Sequence, residues 1–279
     1  MLYANFHTHT PLCMHAMGDE EAYIKTAIER GVRVLGFSDH TPHRFRGGLV
    51  SSTRMTPDEL PLYCERILAL KKKYKERIEI HLGLESECYT GDGFARTLSL
   101  YEGLPIEYMI CGQHTDTDEV EEGTMHFFRP YDPSDRSLEL YFERLHAALD
   151  TGRYAYLAHP DFLYHENRPL YESRMRELLL RAKREGVPVE LNMIGITGKR
   201  HYHSPLYLRL LGETGCPAII GCDAHAPEHV ANPDALALAA RAIREYGITM
   251  AKTLDLVNPL TRERKTVPLY PERLFEDAR

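Results

Sequence analysis

Short runs of apolar and β-prone residues recur along the chain: LYANFH, VRVLGF, IEIHLGL, YMICG, YAYLA, VPVEL and PAIIG. Each is nearly continuous rather than alternating, the pattern of parallel strands covered on both faces. Helical periodicities lie between them. Leu60, Tyr63, Cys64, Ile67 and Leu68 form one stripe, preceded by Thr56 as N-cap, Pro57 at the first helical position and Glu59 closing a capping box. Leu138, Tyr141, Phe142, Leu145 and Leu149 repeat the spacing, as do Met175, Leu178, Leu179 and Ala182. Gly31, Gly152, Gly186 and Gly247 stand where helices would stop. This alternation predicts βα units in a cyclic α/β architecture, a barrel of about seven strands, with an open doubly wound sheet as the alternative.

A chain of 279 residues suits one large domain, able to bury roughly 75% of its unfolded surface. Residues 1–279 are therefore read as a single barrel domain. The segment after about residue 250, with Asn258-Pro259 and a TRERK run, is an extension expected to form a hairpin or a wrapping tail. The loops near 43–56 and 116–136 are long and polar, a property of functional or mobile loops. A net charge of -7 and a pI near 6.1 argue against long nucleic acid or an anionic membrane as a partner. With no leader-like segment and no membrane-length apolar run, the expected location is the cytoplasm. The six cysteines form no C-x-x-C pair, so reduced and mostly buried thiols are expected.

The polar residues fall at one end of these runs. The first leads into His7-Thr8-His9, whose imidazoles would share one face of a strand and project side by side. The others end in Asp39-His40, Glu85, His114, His159-Pro160-Asp161, Asn192 and Asp223-Ala224-His225. In a βα barrel the C-terminal strand ends line a single rim, so these groups would converge in one pocket. Gathering so many imidazoles and carboxylates without a cation would leave costly unsatisfied groups. The donor set lacks a thiolate and suits Zn, Fe or Mn better than Mg or Ca, and it is too large for one ion.

His7-Thr8-His9, Ser38-Asp39-His40, Gly83-Leu84-Glu85, Gly112-Gln113-His114, Ala158-His159-Pro160-Asp161 and Cys222-Asp223-Ala224-His225 resemble the metal motifs of the polymerase and histidinol phosphatase (PHP) family, in order, over residues 1 to about 245. The resemblance implies a distorted (β/α)7, TIM-like barrel with three divalent ions at the C-terminal strand ends. Carried over motif by motif, His7, His9, Glu85 and Asp223 would hold the first ion. Glu85, as a bridge, would hold the second with His114 and His159. His15, His40 and His225 would hold the third.

Paired metal ions acidify a shared water and clamp the attacking and departing oxygens of an in-line displacement, which makes phosphate ester hydrolysis the natural use. The leaving alkoxide needs a proton, and Asp161 is a candidate donor or, equally, a group positioning His159. Asp39 reads as a positioning group, and His43, in the His40-Thr41-Pro42-His43 loop, as a residue that would either touch substrate or simply be exposed. A guanidinium fork suits the phosphoryl oxygens: Arg200 in the loop after VPVEL comes first, Arg168 second and Arg129 third.

Within the family, the stand-alone length and extended loops resemble its histidinol-phosphate phosphatases. That implies a small phosphate monoester as substrate, L-histidinol phosphate, hydrolysed to L-histidinol and phosphate in histidine biosynthesis. The alternative is a family phosphatase or phosphodiesterase acting on nucleotides or short oligonucleotides, with Tyr164, His165 and Tyr202 as stacking surfaces. A barrel with H-x-H also admits an amidohydrolase, although the crowded histidines fit three ions better. A scaffold protein with a relic site predicts a broken ligand set, and none is broken.

Overall fold

The computed structural model describes residues 1–45, 48, 50–115, 128, 134–163, 168–198 and 200–270, without the side chain of Arg168. Most of the 116–136 loop, together with Arg129, Tyr164, His165 and Lys199, lies outside the described residues. The strands Ala4–Asn5 (β1), Val34–His40 (β2), Glu79–Ser86 (β3) and Tyr108–Cys111 (β4) pair in parallel in sequence order. Val189–Asn192 (β5) and Ala218–Gly221 (β6) form a second parallel pair. Single parallel bridges from Cys111 to Leu157, from Leu157 to Val189 and from Thr8 to Ala224 link these pieces into a curled sheet.

The fifth apolar run, YAYLA, makes only those bridges at Leu157 and no ladder. Its neighbour across the sheet, β5, is preceded by Pro188, which has no N–H to give, and His159 leaves the extended conformation with a φ of 27°. The first run is likewise reduced to two ladder residues.

The helices Glu20–Glu29 (α1), Leu60–Tyr74 (α2), Gly93–Ser99 (α3), Asp135–Thr151 (α4), Arg168–Glu185 (α5), Met193–Thr197 (α6), Pro205–Thr214 (α7) and Pro233–Tyr246 (α8) alternate with the strands. The Glu59 carboxylate accepts from the Thr56 N–H at 2.8 Å ahead of α2, and α4 and α8 end at Gly152 and Gly247 in the left-handed region. The expected helical stripes are buried against the sheet, each fully buried Leu or Ile contributing about 1.5–3 kcal/mol. Leu68 is the exception, 38% exposed, because eight residues at about 100° each carry it roughly 80° around the helix from Leu60.

A second cluster fills the inside of the curled sheet: Phe6, Tyr108, Tyr156 and Ile219 among them. The Tyr108 ring packs where a Cβ on either Gly36 or Gly83 would collide with it. Its hydroxyl donates to Phe6 O at 2.9 Å and Phe37 O at 3.2 Å. The C-terminal extension forms an antiparallel hairpin, Thr253–Val257 (β7) with Arg264–Pro268 (β8). Its Leu254, Leu256, Val267 and Leu269 join the inner cluster at the N-terminal ends of the strands. Asn258 ties it down by donating to Ile106 O at 3.0 Å.

Candidate metal centre

Strand register places the polar strand ends level with one another. His40 on β2 is the pairing partner of Glu85 on β3, and the Thr8–Ala224 bridge sets His7 and His9 beside Asp223 and His225. Two of these positions carry unusual backbone, since His159 and Asp223 have φ of 27° and 48°. Non-glycine residues in that region cost about 1–3 kcal/mol and collect at functional sites.

Glu85 is the hub. Its carboxylate lies 3.5 Å from His7 Nε2, 3.5 Å from His9 Nε2, 3.0 Å from His40 Nδ1, 3.6 Å from His114 Nε2 and 2.9 Å from His159 Nε2. Asp223 Oδ1 lies 3.5 Å from His7 Nε2 and 3.2 Å from His9 Nε2. His15 and His225 meet beside them, Nε2 to Nε2 at 3.0 Å. Close approach depends on glycine: a Cβ on Gly112 would run into Glu85, and one on Gly221 into Glu190.

Five of these imidazoles have the Nδ1 side committed elsewhere. The Nδ1 of His7 faces Glu190 Oε1 at 2.7 Å, that of His9 Asp39 Oδ1 at 3.3 Å, and that of His114 Glu87 Oε1 at 3.2 Å. His15 Nδ1 meets Cys13 O at 2.7 Å and His225 Nδ1 meets Asp223 O at 2.9 Å. Such contacts fix the tautomer with Nδ1 protonated and aim a bare Nε2 lone pair inward, the usual support of a metal-binding histidine. His7 Nε2 and His9 Nε2 are buried without a hydrogen bond of their own. For His15 and His225 the consequence is two lone pairs facing each other, which a shared cation would satisfy.

The electrostatics call for positive charge here, which a proton or a bound cation would supply. Burial opposes charge at His7, but Glu190, Asp223 and Glu85 outweigh it and hold the imidazole well above its usual range. Burial also opposes ionisation of Glu85, yet His114, His7 and His40 keep its carboxyl far below the ordinary value. Donor atoms within 4.8 Å of one another form the groups His7–His9–Glu85, His7–His159–Asp223, His40–Glu85–His114 and His15–His40–His225. A further group includes Cys13, but burial pushes that thiol up to about 12 and keeps it neutral. The residues present fit divalent cations.

A cavity of about 360 Å³ opens over this cluster, with His15, His40, His114, His159, Asp223 and His225 in its wall. Arg200 and Tyr202 line it as well, the guanidinium 5.9 Å from the Tyr202 ring centre. His43 and Asp161 are not among the residues lining it. His43 is buried, with Nε2 on Glu87 at 2.9 Å and Nδ1 on Thr97 at 3.2 Å, so its partners are structural. Asp161 is buried and accepts from the His203 N–H at 2.5 Å, while burial raises its carboxyl to about 7.

Three residues that sequence reasoning passed over matter here: Glu190, Glu87 and Arg54. Glu190 also accepts from the His159 N–H at 2.9 Å and from Asn192 Nδ2 at 3.0 Å. Glu87 forms a two-pronged pair with Arg54 at 2.9 and 2.8 Å, and Arg54 lines the cavity. Glu190 is the one charged residue in VPVEL, and Glu87 sits two positions after Glu85, spacings that share a strand face.

The PHP domain matches residues 5–194. The chain belongs to the PHP family. The PHP match takes in the paired histidines that follow β1 and runs just past β5, and Asp223 and His225 follow it. A probable histidinol-phosphatase of Deinococcus radiodurans is 27% identical over 255 residues, covering 86% of this PHP chain and 92% of that protein. The histidinol phosphate phosphatase of Lactococcus lactis, solved with zinc, L-histidinol and phosphate, superposes with a TM-score of 0.69 at 16% identity, covering 94% of this chain and 98% of the other. A putative histidinol phosphatase of Listeria monocytogenes gives 0.64 at 19% identity, covering 84% and 99%. Both share the PHP protein's fold.

Proposed function

We propose that this PHP protein is a metal-dependent phosphoric monoester hydrolase that converts L-histidinol phosphate to L-histidinol and phosphate. The observation that carries the chemistry is the convergence of five imidazoles on Glu85, buried beneath a solvent-open cavity that His40, His114 and His159 help to line. The substrate rests on near-full-length similarity to a protein named as a probable histidinol-phosphatase. It rests also on a fold shared with an enzyme solved with zinc, L-histidinol and phosphate.

In this reading the chain is one domain, and the curled sheet with its single bridges is a distorted (β/α)7 barrel. His7, His9, Glu85 and Asp223 hold one cation; Glu85, His114 and His159 a second; His15, His40 and His225 a third, with Zn, Fe or Mn as occupants. Cations so held supply an acidified water and positive charge against the phosphoryl oxygens. Glu190, Asp39 and Glu87 keep the histidine rings turned inward. Arg200, on the cavity wall, takes a phosphoryl oxygen with its planar fork, and Arg168 stands as a second phosphate ligand. Asp161, buried behind the cavity wall, positions the loop that carries Arg200 and Tyr202 through its bond to His203. Six free, buried cysteines suit a reducing compartment such as the cytoplasm. Among the described residues no helix is long and apolar enough to cross a membrane.

The test is steady-state turnover of L-histidinol phosphate, p-nitrophenyl phosphate and a dinucleotide, before chelation, after it, and after reloading with Zn, Mn or Fe, with metal counted per chain. Preference for L-histidinol phosphate with loss on chelation is expected. Equal turnover of all small monoesters would remove the substrate, and full activity without bound metal would remove the mechanism.

A further inference from the structure

The cavity over the metal centre is a poor place for a cationic group. Of the described residues in its wall, Asp223 is the sole carboxylate, set against Arg54 and Arg200 and the cations the histidines would hold. Among the described residues, then, a carboxylate partner for the ammonium of an amino alcohol phosphate is to be sought beyond this wall. Three neighbouring cavities share walls with this one. The first shares Arg200 and Tyr202 but is lined by Leu191, Ile196, Leu208 and Leu238, with no carboxylate. The second contains Asp58 and has Arg54 as the one wall residue it shares with the metal cavity. The third, about 410 Å³, shares Ile194, Arg200 and His229 and has Glu228 as its carboxylate.

We infer that Glu228 is the specificity residue that reads the substrate's ammonium, in a subsite formed between α6 and the start of α8. This rests on the monoester reading above. The subsite has what an aminoalkyl imidazole needs. Met193, Ile194 and Ala235 give it an apolar wall, and Thr197 and Asn232 supply polar groups. Glu228 is also held in place, on the short 3₁₀ turn Pro227–His229. Arg30 donates from Nη1 to the backbone carbonyls of Glu228 at 2.7 Å and Val230 at 2.6 Å, which pins the turn to α1. The pinned backbone fixes where the exposed Glu228 side chain starts, and meeting a cation would order the rest of it. The separation of roles follows: Arg200 and the metal donors meet the phosphoryl end, and Glu228 meets the opposite charge one cavity away.

The experiment compares wild type with Glu228→Gln and Glu228→Arg on three esters: L-histidinol phosphate, its analogue lacking the amine, and p-nitrophenyl phosphate. Metal per chain is measured in each. Glu228 is exposed, so the variants should fold. KM for L-histidinol phosphate is expected to rise about tenfold or more in Glu228→Gln, and further in Glu228→Arg, as for a lost charge-assisted contact. The two amine-free esters and the metal content should change less than about twofold. The inference is overturned if wild type prefers the amine-bearing ester and Glu228→Gln keeps that preference, or if all three esters weaken together. A wild type that ignores the amine would instead remove the histidinol reading and the role of Glu228 with it.

Discussion

The Nδ1 of His7 lies 2.7 Å from Oε1 of Glu190, a contact between the segment just after β1 and β5 in which both side chains are fully buried. Glu190 thereby fixes the His7 ring, and its second oxygen holds the backbone N–H of His159. Glu190→Gln should lower metal affinity or activity about 10–100-fold, the usual effect of losing a carboxylate behind a metal-binding histidine. Metal per chain after dialysis against a graded chelator series measures it. Retention of the wild-type metal count and turnover would show that Glu190 does not orient the ring.

Gly112 leaves the space that the Glu85 carboxylate occupies, and Gly112→Ala would drive a methyl into it. The expected outcome is a loss of about 1–3 kcal/mol in urea denaturation together with depleted metal, since overpacking moves the one carboxylate that five imidazoles face. Gly221→Ala should act in the same way through Glu190. Unchanged stability in both would mean that the carboxylates can turn aside freely.

Arg54 and Glu87 are 2% and 1% exposed and share two hydrogen bonds, so each neutralises a charge the other would strand. Removing Arg54 alone should cost about 3–5 kcal/mol, whereas replacing both with apolar residues should cost less than the two single changes together. A double-mutant cycle by chemical denaturation reads the coupling. Strict additivity would place no interaction between them.

Glu107 sits away from the centre and joins α2 to β3. Burial alone would raise its carboxyl, but hydrogen bonds from His81, Lys71 and the Leu82 N–H outweigh that and bring it to about 2. A folded value below the unfolded one means the native state holds its proton more weakly. The contribution is therefore full above about pH 4.5 and lost as pH falls toward 2, amounting to about 2–3 kcal/mol at most. Glu107→Gln should be less stable than wild type at pH 6, and the difference should close by pH 2. A pH-independent difference would point to packing instead.

Much of this was readable from residue order. The apolar runs mark the strands, and the polar residues that end them converge because parallel strands present their C-terminal ends on one side, as His40 beside Glu85 illustrates. The stops at Gly152 and Gly247 were equally plain, being left-handed positions. The fifth run misled, because continuous apolar character reports burial and not a ladder, and neither Pro188 nor the turn at His159 shows in hydrophobicity. Glu190 and Glu87 were hidden for a different reason. Most of their partners lie on segments distant in sequence, so only the folded chain reveals which histidine each one faces. His43 pointed the other way, its loop position suggesting exposure while the ring is spent on Glu87 and Thr97.

The phenol of Tyr108 touches the backbone of β1 and β2 through its hydroxyl and lies over the glycines of β2 and β3 with its ring. It acts as a gauge pin: four neighbouring strands are indexed against one rigid six-membered ring beneath the chemistry. How far His7, His40, Glu85 and the chain leading to His114 protrude above that ring is set together rather than strand by strand. A shorter or longer side chain at position 108 would tilt the whole platform without touching a single donor atom.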